Sequence, residues 1–243
     1  RVYPNFVVNG RLARSGQGNF RDYQNTADRP AEFFPVKGDW EAIPTTNESY
    51  GYAKYDNSHK PASFFIQLLA KAASKGGNLL MNIGPKGDGA FDVKDMRILD
   101  SIGLWINKNK ESIFNTTPSN LPVQSWGITT QNANKIYLHV FAWPKDGRLI
   151  VGGLKNAISK VYLLNDLEKP LQQTRITEED VLIEIPLKVQ DPVNSVVVIE
   201  IEDTPLVADS TRLLSSSTNN RLLAFDAQLI GEGFKYGDGK ANR

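Results

Sequence analysis

The chain has 243 residues, 40% of them apolar, enough to build the core of one large domain or two ordinary ones. Its 28 Lys and Arg are balanced by 27 Asp and Glu, with no basic run, so no electrostatic footprint for nucleic acid or an anionic membrane is present, and a neutral small substrate suits the balance. The absence of cysteine excludes disulfides, thiolate nucleophiles and Cys-based zinc sites.

Residues 1 to 117 alternate strand-like and helix-like segments, beginning with Phe6-Val7-Val8-Asn9, a short apolar run before a polar, Gly-rich stretch. Between Pro61 and Lys75, Phe65, Leu68, Leu69 and Ala72 recur at helical spacing; Pro61 suits a first helical turn and Gly76 the C′ position. The apolar run Asn78 to Gly84 has the length and composition of a parallel strand buried on both faces. A turn over Pro85 to Gly89 follows. Asp92 then caps a second helix with Asp95 in its first turn and a predicted buried stripe of Met96, Leu99, Ile102, Trp105 and Ile106, fading near Ile113-Phe114.

After Pro118 the apolar period changes to two. Lys135 to Trp143 reads as an antiparallel strand, and further strands are expected at Arg148 to Leu154, Lys160 to Leu164, Asp180 to Leu187 and Ser195 to Glu202, with turn signals such as Lys145-Asp146-Gly147 between them. A β-sandwich is expected over 118 to 203. Asp209 to Asn220 has the composition of a linker, and Arg221 to Arg243 opens a further, incomplete module. The start, Arg1-Val2-Tyr3-Pro4, is neither an initiator Met nor a signal peptide and reads as a cut through a larger protein; no apolar run approaches the roughly 18 residues of a membrane span.

Chemistry-bearing residues concentrate in the first half. Asp39-Trp40-Glu41 precedes Ala42-Ile43-Pro44, which places Glu41 at the C-terminal end of a barrel strand, where barrels keep catalytic groups. A carboxyl beside an aromatic wall is partly desolvated and can hold a proton, as a general acid must. The same tripeptide equally describes a packed indole next to a solvated acid. Arg29 can fork hydrogen bonds to sugar hydroxyls or simply pair with Asp28 or Glu32. Tyr50, Tyr52 and Tyr55 can stack on a pyranose or cover a barrel rim. The glycines of Gly16-Gln17-Gly18 and Gly84 to Gly89 match no phosphate-loop spacing and are read as turn glycines. His59 and His139, the only imidazoles, lack metal-ligand spacing, so neither a metal nor any other cofactor is expected.

The blocks Gly38-Asp39-Trp40-Glu41, Asn47-Glu48-Ser49-Tyr50-Gly51-Tyr52 and Ser74-Lys75-Gly76-Gly77-Asn78-Leu79-Leu80-Met81-Asn82-Ile83-Gly84-Pro85 resemble, in order and spacing, the GH29 α-L-fucosidase family. The third block is the most specific, and Phe6 to Arg11 is similar to the family's strand ending in Asn-x-Arg. The resemblance implies the C-terminal part of a (β/α)8 TIM barrel over 1–117 followed by an antiparallel β-sandwich over 118–203. It implies, further, a bacterial hydrolase that removes terminal α-L-fucosyl groups from fucosylated glycans with net retention, located in the periplasm or secreted. Carried over by motif, Glu41 is the acid/base, with Glu32 the fallback, and Arg29 and Trp40 contact substrate. Tyr50 stands where the family usually has Trp. The family's nucleophile is an Asp in a Trp-x-Asp motif; none of this chain's tryptophans has an Asp two residues on, so that residue and roughly five βα units are expected upstream. The alternative is a non-catalytic carbohydrate-binding or structural protein.

Overall fold

The computed structural model describes residues 5–12, 21–26, 28, 30–33, 36–119, 121–203 and 230. These fall into two compact units divided between Ser101 and Ile102. Arg29, the Gly16-Gln17-Gly18 stretch and, apart from Ile230, the segment expected as linker and further module lie outside the described residues.

The first unit is built on a parallel sheet of β1 (Gln24–Asn25), β2 (Trp40–Ala42) and β3 (Asn78–Leu79), in that order. The helix α1 (Ala62–Ser74) joins β2 to β3, a βαβ crossover. Its apolar face, including Leu68 and Ala72, packs on Trp40 and Ala42. Helix α1 ends as expected of Lys75-Gly76-Gly77: Gly76 takes φ +74°, its N–H donates to Ala73 O at 3.0 Å, and Gly77 N–H donates to Ala72 O at 2.9 Å. That pair of bonds is the Schellman closure, which needs a left-handed residue at C′. Pro61 sits one residue earlier than a first-turn position, at the N-cap.

Two expectations for this sheet need correction. The strand at Phe6–Asn9 is reduced to one parallel bridge, Asn9 with Tyr23, and Phe6 and Val7 are exposed. The run at Asn78–Gly84 is not covered on both faces: Leu79 packs toward α1, whereas Leu80 is 53% exposed on the alternate face. After β3, Lys86 N–H donates to Ala90 O and Gly89 turns at φ +83°, the turn that its glycines imply.

Helix α2 (Val93–Asn109) begins where Asp92 Oδ1 accepts the Lys94 N–H at 2.8 Å. Its buried stripe is Asp95, Ile98, Ile102, Trp105 and Asn109: of the expected stripe, Ile102 and Trp105 are buried, whereas Met96 is 40% exposed and Leu99 and Ile106 are only half-buried. Both stripes have helical spacing. Hydrophobicity alone picked the face with more apolar residues, but the buried one carries the polar Asp95 and Asn109, and Asn109 finds its partners inside. Asn109 Nδ2 donates to Trp105 O, and its Oδ1 accepts from Asn165.

The second unit holds two antiparallel sheets. β4 (Thr117–Pro118), β5 (Gly127–Asn132), β6 (Lys135–Val140), β7 (Arg148–Val151), β8 (Ile158–Leu163), β9 (Asp166–Pro170), β10 (Gln173–Arg175), β11 (Val181–Glu184) and β12 (Ser195–Ile201) follow in the chain. The larger sheet has the order β4-β5-β6-β12-β8-β9 and the smaller β10-β11-β7. Alternate residues of both sheets, among them Leu138, Leu149, Ile183 and Ile199, meet in one hydrophobic core. Central β12 is buried on both faces. On the face away from that core the Trp105 indole N–H donates to Asn194 O at 3.1 Å and Thr130 Oγ1 donates to Ser112 O at 2.7 Å. Trp126 is buried inside this unit's own core, its indole N–H donating to Ile150 O at 2.7 Å.

Candidate active site

In a parallel sheet, in-register residues point to the same face, and successive residues of one strand to opposite faces. Trp40 and Ala42 of β2 face α1, so Glu41 between them faces away from the helix. Glu41 is in register with Asn25 on β1 and Asn78 on β3, which sets three polar side chains across the sheet at one level. Asn25 Nδ2 donates to Glu41 Oε1 at 2.6 Å. The backbone beneath is clamped: Thr26 N–H and Thr26 Oγ1 both donate to Glu41 O, at 2.8 and 3.1 Å.

Trp40, expected to touch substrate, is instead a core residue. It is 1% exposed, tilted against Phe33 at 5.0 Å between ring centroids, and it packs directly over Gly77, where a Cβ would come within 2.1 Å of the indole. The indole N–H donates to Lys75 O at 3.3 Å. The aromatic neighbour in sequence is therefore not a wall beside the Glu41 carboxyl; strand alternation puts it on the other side of the sheet. Glu32 is tied to α1 through Lys71 Nζ at 3.0 Å. Asp22 accepts the Val8 N–H and Asp28 pairs with Arg11, both as loop contacts.

The chain beyond β2 forms the rim at this end of the sheet. Asn82 is bridged to Thr45, and its side-chain amide donates to Thr45 Oγ1 at 3.2 Å and to Tyr50 O. Asn47 Nδ2 donates to Gly51 O, and Gly84 presses on the Gly51-Tyr52 peptide so closely that a Cβ would lie 2.3 Å from Tyr52 N. Only glycine permits that approach. Tyr50, at φ +60°, donates its hydroxyl to the Ile43 and Asp28 carbonyls. Of the tyrosines proposed to line a sugar site, Tyr50 is thus engaged at the rim, whereas Tyr52 and Tyr55 are 39% and 85% exposed.

Sequence reasoning missed two features. Asn25 lies 16 positions before Glu41 in a segment with no motif, and only strand register reveals the contact. A small polar cavity lined by Asn47, Tyr52, Asp56, His59, Asp92 and Asp95 holds the second: His59 Nε2 approaches Asp95 Oδ1 at 3.4 Å, both side chains nearly buried. At its mouth Asp56 accepts from the Ser58 hydroxyl and backbone N–H and from Ser49, and these bonds hold its carboxyl down at about 2. Among the described residues no three His, Cys, Asp or Glu side chains converge as metal ligands would.

Residues 2–111 match the family model described as alpha-L-fucosidase. The chain is 32% identical over 150 residues to an α-L-fucosidase of Dictyostelium discoideum, a match that covers 60% of this chain and 32% of that protein. Its structure is similar to that of an α-L-fucosidase from Vibrio sp. strain EJY3, with TM-score 0.73 and 26% identity over 83% of this chain and 37% of the other. It is also similar, at TM-score 0.67 and 27% identity over 74% of this chain and 43% of the other, to a GH29 α-L-fucosidase of Bacteroides thetaiotaomicron, solved as a trapped covalent intermediate of a Glu-to-Gln variant. The chain spans about a third to two fifths of the length of the curated relatives it matches.

Proposed function

We propose, on the match of residues 2–111 to the α-L-fucosidase family model and on the similarity to α-L-fucosidases, that the chain is the C-terminal part of a retaining glycoside hydrolase acting on terminal α-L-fucosyl groups of glycans. Glu41 is the acid/base in this proposal. It protonates the departing glycosidic oxygen, then as carboxylate deprotonates the water that hydrolyses the fucosyl-enzyme. The nucleophilic carboxylate comes from a part of the protein outside these residues and approaches Glu41 to about 5–5.5 Å, the separation of a retaining pair.

One observation carries the assignment. Glu41 stands near the C-terminal end of the middle strand of a parallel, helix-covered sheet, its side chain on the face away from the helix. Barrels keep their catalytic groups at that end. The β2-α1-β3 crossover supports a barrel portion over 1–117, and the shared core of two antiparallel sheets supports a sandwich over 118–203. Arg29 remains a proposed substrate contact on the strength of its motif. An extracytoplasmic enzyme fits this substrate class.

The test is Glu41→Gln in the complete protein. Hydrolysis of natural fucosides, whose leaving groups need a proton, should fall by roughly 10²–10⁴-fold, as expected for loss of a general acid. An activated aryl fucoside should show a burst and accumulate a covalent fucosyl-enzyme, which azide, needing no base, releases as fucosyl azide. Equal loss on both substrates, with no burst and no azide rescue, removes Glu41 from the role.

A further inference from the structure

Asn25 touches the Glu41 carboxyl with only one end of its amide. Nδ2 donates to Glu41 Oε1 at 2.6 Å, and Oδ1 is buried with no hydrogen-bond partner. A buried carbonyl oxygen left unpaired is costly, so such atoms in native sites call for a reason. Among the described residues Asn25 is the sole hydrogen-bond partner of the Glu41 carboxyl. The pair is held rigidly. Asn25 and Glu41 are register partners on adjacent strands, and Thr26, next in the chain, binds the Glu41 carbonyl with both its N–H and its hydroxyl.

We propose that Asn25 is a positioning residue for Glu41 that serves both of its protonation states, an inference that rests on the acid/base role given to Glu41 above. As a carboxylate, Glu41 can only accept, and Asn25 Nδ2 donates to it. Once protonated, Glu41 presents an O–H that needs an acceptor. A half-turn of the Asn25 amide about Cβ–Cγ exchanges its ends and brings the unpaired Oδ1 to that hydrogen. In the first chemical step Glu41 gives its proton to the leaving oxygen, and the carboxylate turns to Nδ2. In the second it takes a proton from water, and the new O–H turns to Oδ1. A residue that only donates, such as Lys, would favour one state. The amide fits both, and its free oxygen is what the carboxylate-bound form leaves over.

The test uses the complete protein and two variants. Asn25→Ala removes both contacts and should lower kcat by about 10–100-fold, the range seen when a group that orients a functional ligand is lost, with little change in KM. Asn25→Asp keeps the shape but sets two carboxyl groups within hydrogen-bond distance. Such groups share a proton, so the alkaline limb of the kcat/KM profile should move up by about one pH unit. A carbon-13 titration of the Glu41 carboxyl, identified by its loss in Glu41→Gln, should show the same upward movement without reliance on turnover. A purely structural Asn25 would show in Asn25→Ala as a lower melting temperature with kcat within two-fold of wild type; that result, or an Asn25→Asp limb and titration that do not move, overturns the proposal. Failure of the acid/base role is separately visible. The alkaline limb would then persist in Glu41→Gln and azide would rescue nothing, whatever the Asn25 variants do.

Discussion

His139, in the middle of β6, makes the stability of the second unit depend on pH in a way that can be worked out in advance. The ring is fully buried, and burial pushes its pKa down to about 4, against a smaller opposing pull from the Ser112 carbonyl. Nε2 faces that carbonyl at 3.3 Å and Thr130 Oγ1 at 3.2 Å, so the proton sits on Nε2 and Nδ1 accepts from Asn194 Nδ2 at 3.1 Å. The unfolded ring titrates near 6.5, so below that pH the unfolded chain binds a proton that the folded one refuses, and stability falls as pH drops from about 6.5 to about 4. Integrating between these values gives a loss of about 2 kcal/mol between pH 7 and pH 4.5 from this one residue. Hydrogen exchange of the β6 and β12 amides at several pH values reads the opening free energy of this sheet directly. His139→Gln should be less stable at pH 7 but should show a pH slope shallower by that amount, since every other titrating group is common to both proteins. Parallel slopes for the two proteins would refute the reasoning.

Other consequences of the packing can be tested by simple substitutions. Gly77→Ala drives a methyl into the Trp40 indole, which Phe33, Leu68 and Ala72 hold in place, and should cost about 1–3 kcal/mol in denaturant unfolding, as overpacking does. Gly87→Ala, with open space around it, is the matched control and should cost little. Asp92→Ala removes the cap of α2 and should cost about 1 kcal/mol, seen as faster exchange of the first-turn amides. The 243 residues expressed alone should not turn over an aryl α-L-fucoside, because the proposed nucleophile lies outside them; measurable turnover would put it within them.

The elements that the sequence disclosed are those whose pattern is local. Helix α1 was legible from Phe65, Leu68 and Ala72 at helical spacing and from Gly76 past its end, and β6, β8, β11 and β12 from period-two alternation. The elements that escaped lack such a pattern. β5, Gly-Ile-Thr-Thr-Gln-Asn, buries threonines rather than large apolar residues, and Gly127 is required there because a Cβ would lie 1.9 Å from the His139 carbonyl. β9 and β10 are exposed edge segments, Asp-Leu-Glu-Lys-Pro and Gln-Thr-Arg, whose composition says loop until a partner strand is known. Helix α2 was legible in part: Ile102 and Trp105 belong to the buried stripe as expected, but its other members turned on the burial of polar Asp95 and Asn109, which no local rule supplies.

The candidate site shows the same division between local and non-local information. The Trp40-Glu41 pair is conspicuous as a motif, and strand periodicity alone already requires the two side chains to part company. Assigning both to the substrate took adjacency in the chain for adjacency in space. The fold uses them for opposite tasks, with Trp40 anchoring α1 against the sheet and Glu41 standing on the other face. What accompanies Glu41 is set by register, so its partner is Asn25, in a stretch with no motif, rather than the indole beside it. A substitution that slid β1 by one residue would put Gln24 or Thr26 in place of Asn25 and turn every side chain of that strand to the other face. Thr26 guards against this by binding the Glu41 carbonyl twice. Thr26→Val, which keeps the shape and the backbone bond but removes the hydroxyl's, should therefore loosen the Asn25–Glu41 contact without touching either side chain. Its effect on kcat should follow that of Asn25→Ala in direction and be smaller, and in the Asn25→Ala background it should add almost nothing, as expected of two residues that act through one contact. Full additivity of the two substitutions would mean that Thr26 supports the site by some other route.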